Sequence, residues 1–182
     1  GKEPCGRGPI VILLDESGSM RDDGRDIWRK AVALAVTSRA SGEKRAVHIV
    51  GFNGHINREV AIAPGEGTPA VIQHALDVGC HGGTNFNTAI TRACEILATL
   101  PSMKKADVLM ITDCEQDVSD EVTKQAQALT TTEGVSWFIV GVGHSAIHVL
   151  PQTLGPIATS MHLVGRTDDT GAVADIVNLE RR

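Results

Sequence analysis

Six apolar runs of strand length punctuate the chain, and segments with helical periodicity separate most of them. Ile10-Val11-Ile12-Leu13-Leu14 is continuous and β-branched, bounded by Gly8-Pro9 and by Ser17-Gly18, which predicts a central parallel strand. Ala46–Phe52, Ala106–Thr112 and Val135–Val142 read as further buried strands, and Met161–Val164 as a last, shorter one. Asn53-Gly54 predicts a tight turn into an alternating run, His55–Ile62, which makes that run an antiparallel strand at the sheet edge.

The intervening segments predict helices. Asp26 is placed to cap one that runs to about Ala40, with Trp28, Ala31, Val32 and Ala35 on one face, Ile27 and Leu34 beside them, and Gly42 as its stop. Thr68-Pro69 is an N-cap and N1 pair for a short helix to about Asp77. Phe86–Leu100 carries an inner stripe of Ile90, Ala93, Cys94 and Leu97 and stops at Pro101. Ser119 caps a helix to about Thr131, with Asp120 and Glu121 at its positive end and Gly134 beyond it. Short helices over Ile147–Leu154 and Thr170–Leu179 complete the set. Strands alternating with helices predict an α/β fold: a doubly wound, Rossmann-like three-layer sandwich around a mostly parallel six-stranded sheet with one antiparallel edge strand.

Composition narrows the class. The chain has 182 residues, 42% of them apolar and 21% charged, as expected for one globular domain over residues 10–182. Residues 1–9, rich in Gly and Pro, read as a linker or tail of a longer protein, since the sequence opens Gly1-Lys2 without Met. Aromatic content of 3% and a net charge of −5 with dispersed cations offer neither base-stacking platforms nor a basic stripe, so nucleic acid is not an expected partner. No apolar run reaches membrane-spanning length. Cys5, Cys80, Cys94 and Cys114 show no close pairing and there is no Asn-x-Ser/Thr site, which favours free thiols in the cytoplasm.

The chemistry gathers where strands end. Asp15, Ser17 and Ser19 alternate just past the first strand, the sheet edge at which open α/β folds bind ligands. Asp113 ends a second strand, and His81-Gly82-Gly83-Thr84-Asn85 places a hydroxyl on a Gly-Gly turn before a helix. Oxygen donors of this kind suit a hard cation, Mg²⁺, Mn²⁺ or Ca²⁺, better than zinc. Each residue also has a plainer use: Asp15 as a turn cap, Ser17-Gly18-Ser19 as loop, Asp113 as a capping residue. Their convergence favours the metal.

Asp-x-Ser-x-Ser, then Gly-Gly-Thr, then a strand-terminal Asp, in that order, resembles the metal-ion-dependent adhesion site of von Willebrand factor A domains, and the likeness extends over nearly the whole chain. It implies that Ser17 and Ser19 coordinate the ion directly. Asp15 and Asp113 would act directly or through water, and Thr84 would engage or withdraw as a partner binds. It implies a non-enzymatic module that captures an Asp or Glu of a partner protein. The forms Asp15-Glu16-Ser17-Gly18-Ser19-Met20 and Gly82-Gly83-Thr84-Asn85 look most like intracellular bacterial members that serve MoxR-type AAA+ ATPases as adaptors. Two departures from common patterns stand after Asp113: Cys114, where many members have Gly, and Glu115, which reads as a solvated loop charge.

Alternatives weighed against this reading are an extracellular adhesion or matrix-binding domain, which predicts paired cysteines, and a metal-dependent hydrolase using His144 or His148 as base. No G-x-S-x-G elbow supports the hydrolase, and a Ser17 that ligates a metal is not a nucleophile. Gly141-Val142-Gly143-His144-Ser145-Ala146 matches a dinucleotide fingerprint but lies in a late unit with Asp168 beyond the next strand, so its glycines read as turn residues. No P-loop is present. A zinc or redox site over Cys80, His81 and Cys114 lacks four well-spaced ligands, which favours packing thiols.

Overall fold

The computed structural model describes residues 7–77, 79–113 and 116–165. Six strands form one sheet in the order β3-β2-β1-β4-β5-β6: β1 Ile10–Asp15, β2 Val47–Phe52, β3 Ile56–Ile62, β4 Asp107–Thr112, β5 Ser136–Val142 and β6 Ser160–Val164. All pairings are parallel except β2 with β3, so β3 is the antiparallel edge. β1 and β4 are buried at every residue, which is why their sequences are continuous apolar runs and not alternating ones.

Helices cover both faces. Ile10, Ile12 and Leu14 point to the layer formed by α1 (Arg25–Gly42) and α2 (Pro69–Leu76). Val11 and Leu13 point to the layer of α3 (Phe86–Thr99), α4 (Asp120–Glu133) and α5 (His144–Thr153). The expected α/β three-layer architecture is therefore present. Thr68 and Ser119 cap α2 and α4 by accepting from the backbone N–H groups of Val71 and Val122, and Gly134 ends α4 in the left-handed region.

Three local expectations are corrected. Asp26 is not the cap of α1. Gly24 holds that position in the left-handed region, and Asp26 sits in the first turn, paired with Arg29 and Lys30. The buried stripe of α1 is Trp28, Arg29, Val32, Ala33, Val36, Thr37 and Ala40, whereas Ile27 is 76% exposed and Ala31 faces solvent. Gly141 is not a turn residue but lies inside β5, where a side chain would overlap Leu150 of α5 and Leu163 of β6. The helix expected over Thr170–Leu179, together with Cys5, Cys114, Glu115 and Asp168, lies outside the described residues.

At the opposite end of the sheet, Gly8 donates its N–H to the carbonyl of Lys105 and accepts from Nε of Arg45, which also pairs with Asp107 at 2.7 Å. The site lies at the other edge, where β1 and β4 end side by side in parallel.

Candidate metal centre

β1 delivers Asp15 into a fully buried position, and the chain turns at once. The Asp15 carboxylate accepts two hydrogen bonds: Oδ1 from the Ser17 N–H at 2.8 Å and Oδ2 from the Thr112 hydroxyl of β4 at 2.6 Å. The turn aims two hydroxyls the same way, with Ser17 Oγ and Ser19 Oγ 3.2 Å apart. Ser19 Oγ in turn donates to Oδ1 of Asp113, just past β4, at 2.9 Å. Asp15, Ser17, Ser19 and Asp113 thus form one connected cluster at the ends of neighbouring strands. A 3-10 segment, Gly18–Gly24, carries the chain from it into α1 and buries Met20.

The Gly-Gly-Thr loop is held against this turn by backbone bonds. Gly18 donates its N–H to the Gly82 carbonyl at 2.9 Å, and His81 donates to the Glu16 carbonyl at 2.7 Å. Gly82 lies in the left-handed region (φ 78°), where a β-carbon would be strained, whereas Gly83 has open space around it. Of the two glycines, only Gly82 has a backbone conformation that favours glycine. Thr84, half-buried, follows two residues later, and Asn85 caps α3 by accepting from the Thr88 N–H. The loop, the β1 turn and the end of β4 therefore meet at one place, as the sequence order of the three motifs implies.

Four participants were not legible in the motif. Thr112 anchors the Asp15 carboxylate through its hydroxyl at 2.6 Å. Asn53, 2% exposed, donates from Nδ2 to the His81 carbonyl and accepts from the Asn85 N–H through its own carbonyl. Glu16, fully buried, reaches sideways to Nε of Arg58 on β3 at 3.2 Å. Arg25, at the start of α1, places Nη1 2.6 Å from Oδ2 of Asp113. Sequence signals for these are faint: each is one polar residue whose partner lies at least 28 positions away.

Electrostatically the cluster brings two carboxylates close to each other. Burial pushes the Asp15 carboxyl above its ordinary range, opposed by the hydrogen bonds from Ser17 and Thr112, and the nearby charge of Asp113 pushes the same way. Among the described residues no three His, Cys, Asp or Glu side chains gather as a ligand set, so acidic charge here comes from two carboxylates and the remaining donors are hydroxyls. That donor chemistry fits a hard divalent ion. Nucleophilic chemistry has less support: the hydroxyls of Ser17 and Ser19 are engaged with each other and with Asp113, and His144 and His148 stack edge-on upon α5 with ring centroids 4.6 Å apart. Cys80 turns to Arg29, whose Nη2 donates to Sγ at 3.1 Å, and both Cys80 and Cys94 are free and buried.

A family model described as the von Willebrand factor type A domain matches residues 10–116. The chain is 40% identical over 119 residues to an uncharacterised protein of Methanocaldococcus jannaschii, covering 65% of this chain and 27% of that protein. It is 28% identical over 118 residues to inter-alpha-trypsin inhibitor heavy chain H4 of Sus scrofa, covering 61% and 13%. It is 29% identical over 107 residues to the regulatory protein ViaA of Proteus mirabilis, covering 59% and 21%. The chain thus spans little more than a quarter, at most, of these curated relatives. Among solved structures, a von Willebrand factor type A protein of Catenulispora acidiphila superposes with a TM-score of 0.78 at 17% identity, covering 96% of this chain and 42% of that one. Proximal thread matrix protein 1 of the mussel byssus, solved with zinc occupying its MIDAS motif, gives 0.77 at 19% identity, covering 96% and 46%. These two likenesses concern the fold.

Proposed function

The chain belongs to the von Willebrand factor type A domain family, and on that premise we propose that it is a divalent-cation-dependent protein-binding module and not an enzyme. One observation carries this reading. Two serine hydroxyls 3.2 Å apart lie against the carboxylate of Asp113, beside the buried carboxylate of Asp15, at the carboxyl edge of a parallel sheet. Ser17 and Ser19 would hold the ion directly, Asp15 and Asp113 directly or through water, and Thr84 would join as the Gly82-Gly83 loop adjusts. Bound there, Mg²⁺, Mn²⁺ or Ca²⁺ would supply a Lewis-acidic centre that two carboxylates and neutral hydroxyls leave open to a further oxygen ligand.

The chain's own residues do the rest. The bonds from Gly18 to Gly82 and from His81 to Glu16 keep the loop of Thr84 docked on the β1 turn. Thr112 and the Ser17 N–H fix the orientation of Asp15. The partner group that such a site selects is a carboxylate, an Asp or Glu of another protein, because opposite charge and oxygen chemistry meet there. The partner reading extends to a MoxR-type AAA+ ATPase, supported by the likeness of the motif forms to intracellular bacterial adaptors. Free, buried Cys80 and Cys94 accord with a reducing compartment such as the cytoplasm. Among the described residues no helix is long and apolar enough to cross a membrane.

Titration calorimetry with Mg²⁺ and Mn²⁺ on this chain and on Asp15→Ala tests the centre. Saturable binding that the variant loses is the expected result. Binding retained in Asp15→Ala, or absent from both chains, would overturn it.

A further inference from the structure

Asp113 faces two ways. Its Oδ1 accepts from Ser19 inside the cluster at 2.9 Å, while its Oδ2 is held by Nη1 of Arg25 at 2.6 Å. The Arg25 guanidinium is built into this position. It reaches the Ser19 carbonyl at 3.5 Å, and it packs against Gly143, where a β-carbon would stand 3.1 Å from Nη2. The Arg25 side chain is 21% exposed and that of Asp113 only 1%, so solvent screens this pair weakly. The other acid near Arg25, Asp23, is 3.6 Å away and 84% exposed, so its contribution is screened.

We propose that Arg25 makes cation and partner carboxylate bind this site as a coupled pair: it weakens the site's hold on the metal alone and strengthens its hold on the acidic group that follows. The inference rests on the metal-centre reading above. A carboxylate already compensated by a guanidinium attracts a second cation less, and it presents one oxygen to the cluster while the other is committed to Arg25. Asp15 is then the one acid of the pair whose charge is not matched by an arginine. The incoming carboxylate meets the opposite balance, because the charge of the fixed guanidinium would add to that of a divalent ion. Selectivity for an acidic partner is therefore built into the first turn of α1 as well as into the metal ligands.

The test is Mn²⁺ affinity, measured by titration calorimetry and by the loss of the free-ion EPR signal, on four chains: wild type, Arg25→Gln, Arg25→Met and Arg25→Lys. Thermal unfolding establishes which of them are folded. Met keeps an apolar stem, so the test survives if Gln disturbs the first turn of α1. Removing a unit charge from beside a divalent ion raises Mn²⁺ affinity by on the order of tenfold in the Gln and Met chains. Lys, which keeps the charge, stays near wild type. Repeating the titrations in excess glutarate strengthens Mn²⁺ binding by the wild type more than by Arg25→Gln. Equal or weaker affinity in both neutral variants overturns it and leaves the metal centre standing. No binding by any of the four chains overturns both.

Discussion

A methyl group placed on Gly51 would overlap Oε1 of Glu16, because the buried Glu16 carboxylate lies across β2 to reach Arg58, the residue paired with Gly51 on β3. The residue between two of the proposed metal ligands thus ties β1 to the antiparallel edge strand. Gly51→Ala is expected to destabilise the fold by about 3 kcal/mol, the scale of overpacking combined with a disturbed buried ion pair. Glu16→Ala removes the obstacle, so the double variant should be less destabilised than the sum of the two single changes. Urea denaturation of the four chains measures this coupling, and strict additivity would show that Gly51 is not kept bare by Glu16.

Asn53 acts at longer range. Its side chain donates to the His81 carbonyl at 2.8 Å and accepts from the His55 N–H at 3.2 Å, linking the β2–β3 connection to the loop that carries Thr84. Asn53→Ala removes both of these part-buried hydrogen bonds, a cost of about 0.5–1.5 kcal/mol each. Amide exchange at Gly82 through Asn85 should quicken more than exchange in β4. Unchanged exchange in the loop would assign its position to the backbone bonds alone.

The same residues show how much could be read in advance. The runs in β1, β4 and β5 are legible because strands covered on both faces need apolar side chains at nearly every position. The caps at Thr68 and Ser119 are legible because a cap is local. The order of Asp15, Ser17, Ser19, Thr84 and Asp113 is legible because each follows a strand or precedes a helix. The stripe of α1 misleads because Arg29 faces inward, fully buried and paired with Asp26 and Cys80, while the apolar Ile27 faces water. Hydrophobic periodicity cannot register a charge that its partners make tolerable inside. Glu16, Arg25 and Asn53 escape for a related reason: their roles depend on register and on loop docking, which a linear pattern does not contain.

The buried thiols make a kinetic prediction. Burial pushes both Cys80 and Cys94 up to about 11, with the Arg29 charge partly opposing it at Cys80. At pH 8 only roughly one thiol in a thousand is then ionised at either position. Iodoacetamide should modify both at least about 100-fold more slowly in the native chain than in denaturant, since the thiolate is the reacting form and access is also blocked. Peptide mapping separates them from Cys5 and Cys114. Rapid native modification of Cys80 would mean that the contact with Arg29 opens readily.

Asp15 yields the prediction with a defined sign in pH. A carboxyl whose pKa is raised by folding stabilises the fold while protonated. That contribution is complete below its ordinary value of 3.8 and is lost as pH rises through the raised value. Above that ordinary value the metal-free chain therefore loses stability as pH rises, because folding must either bury a charge or take up a proton. Asp15→Asn removes the charge, and its amide can turn toward Thr112, whose hydroxyl is able to accept as well as donate. In chelator the variant should be the more stable chain at neutral pH, with the advantage shrinking toward about pH 4 and below as the wild-type carboxyl protonates. Mn²⁺ should reverse the order, because a ligand at 100 times its dissociation constant stabilises the chain that binds it by about 2.7 kcal/mol, and Asp15→Asn is expected not to bind it. Thermal unfolding at the two pH values, in chelator and in Mn²⁺, gives all four comparisons. A variant less stable than wild type in chelator at neutral pH would mean that the hydrogen bonds from Ser17 and Thr112 outweigh burial. Asp15 would then be chiefly an anchor for the turn, and the case for a cation would rest on the Ser17, Ser19 and Asp113 oxygens.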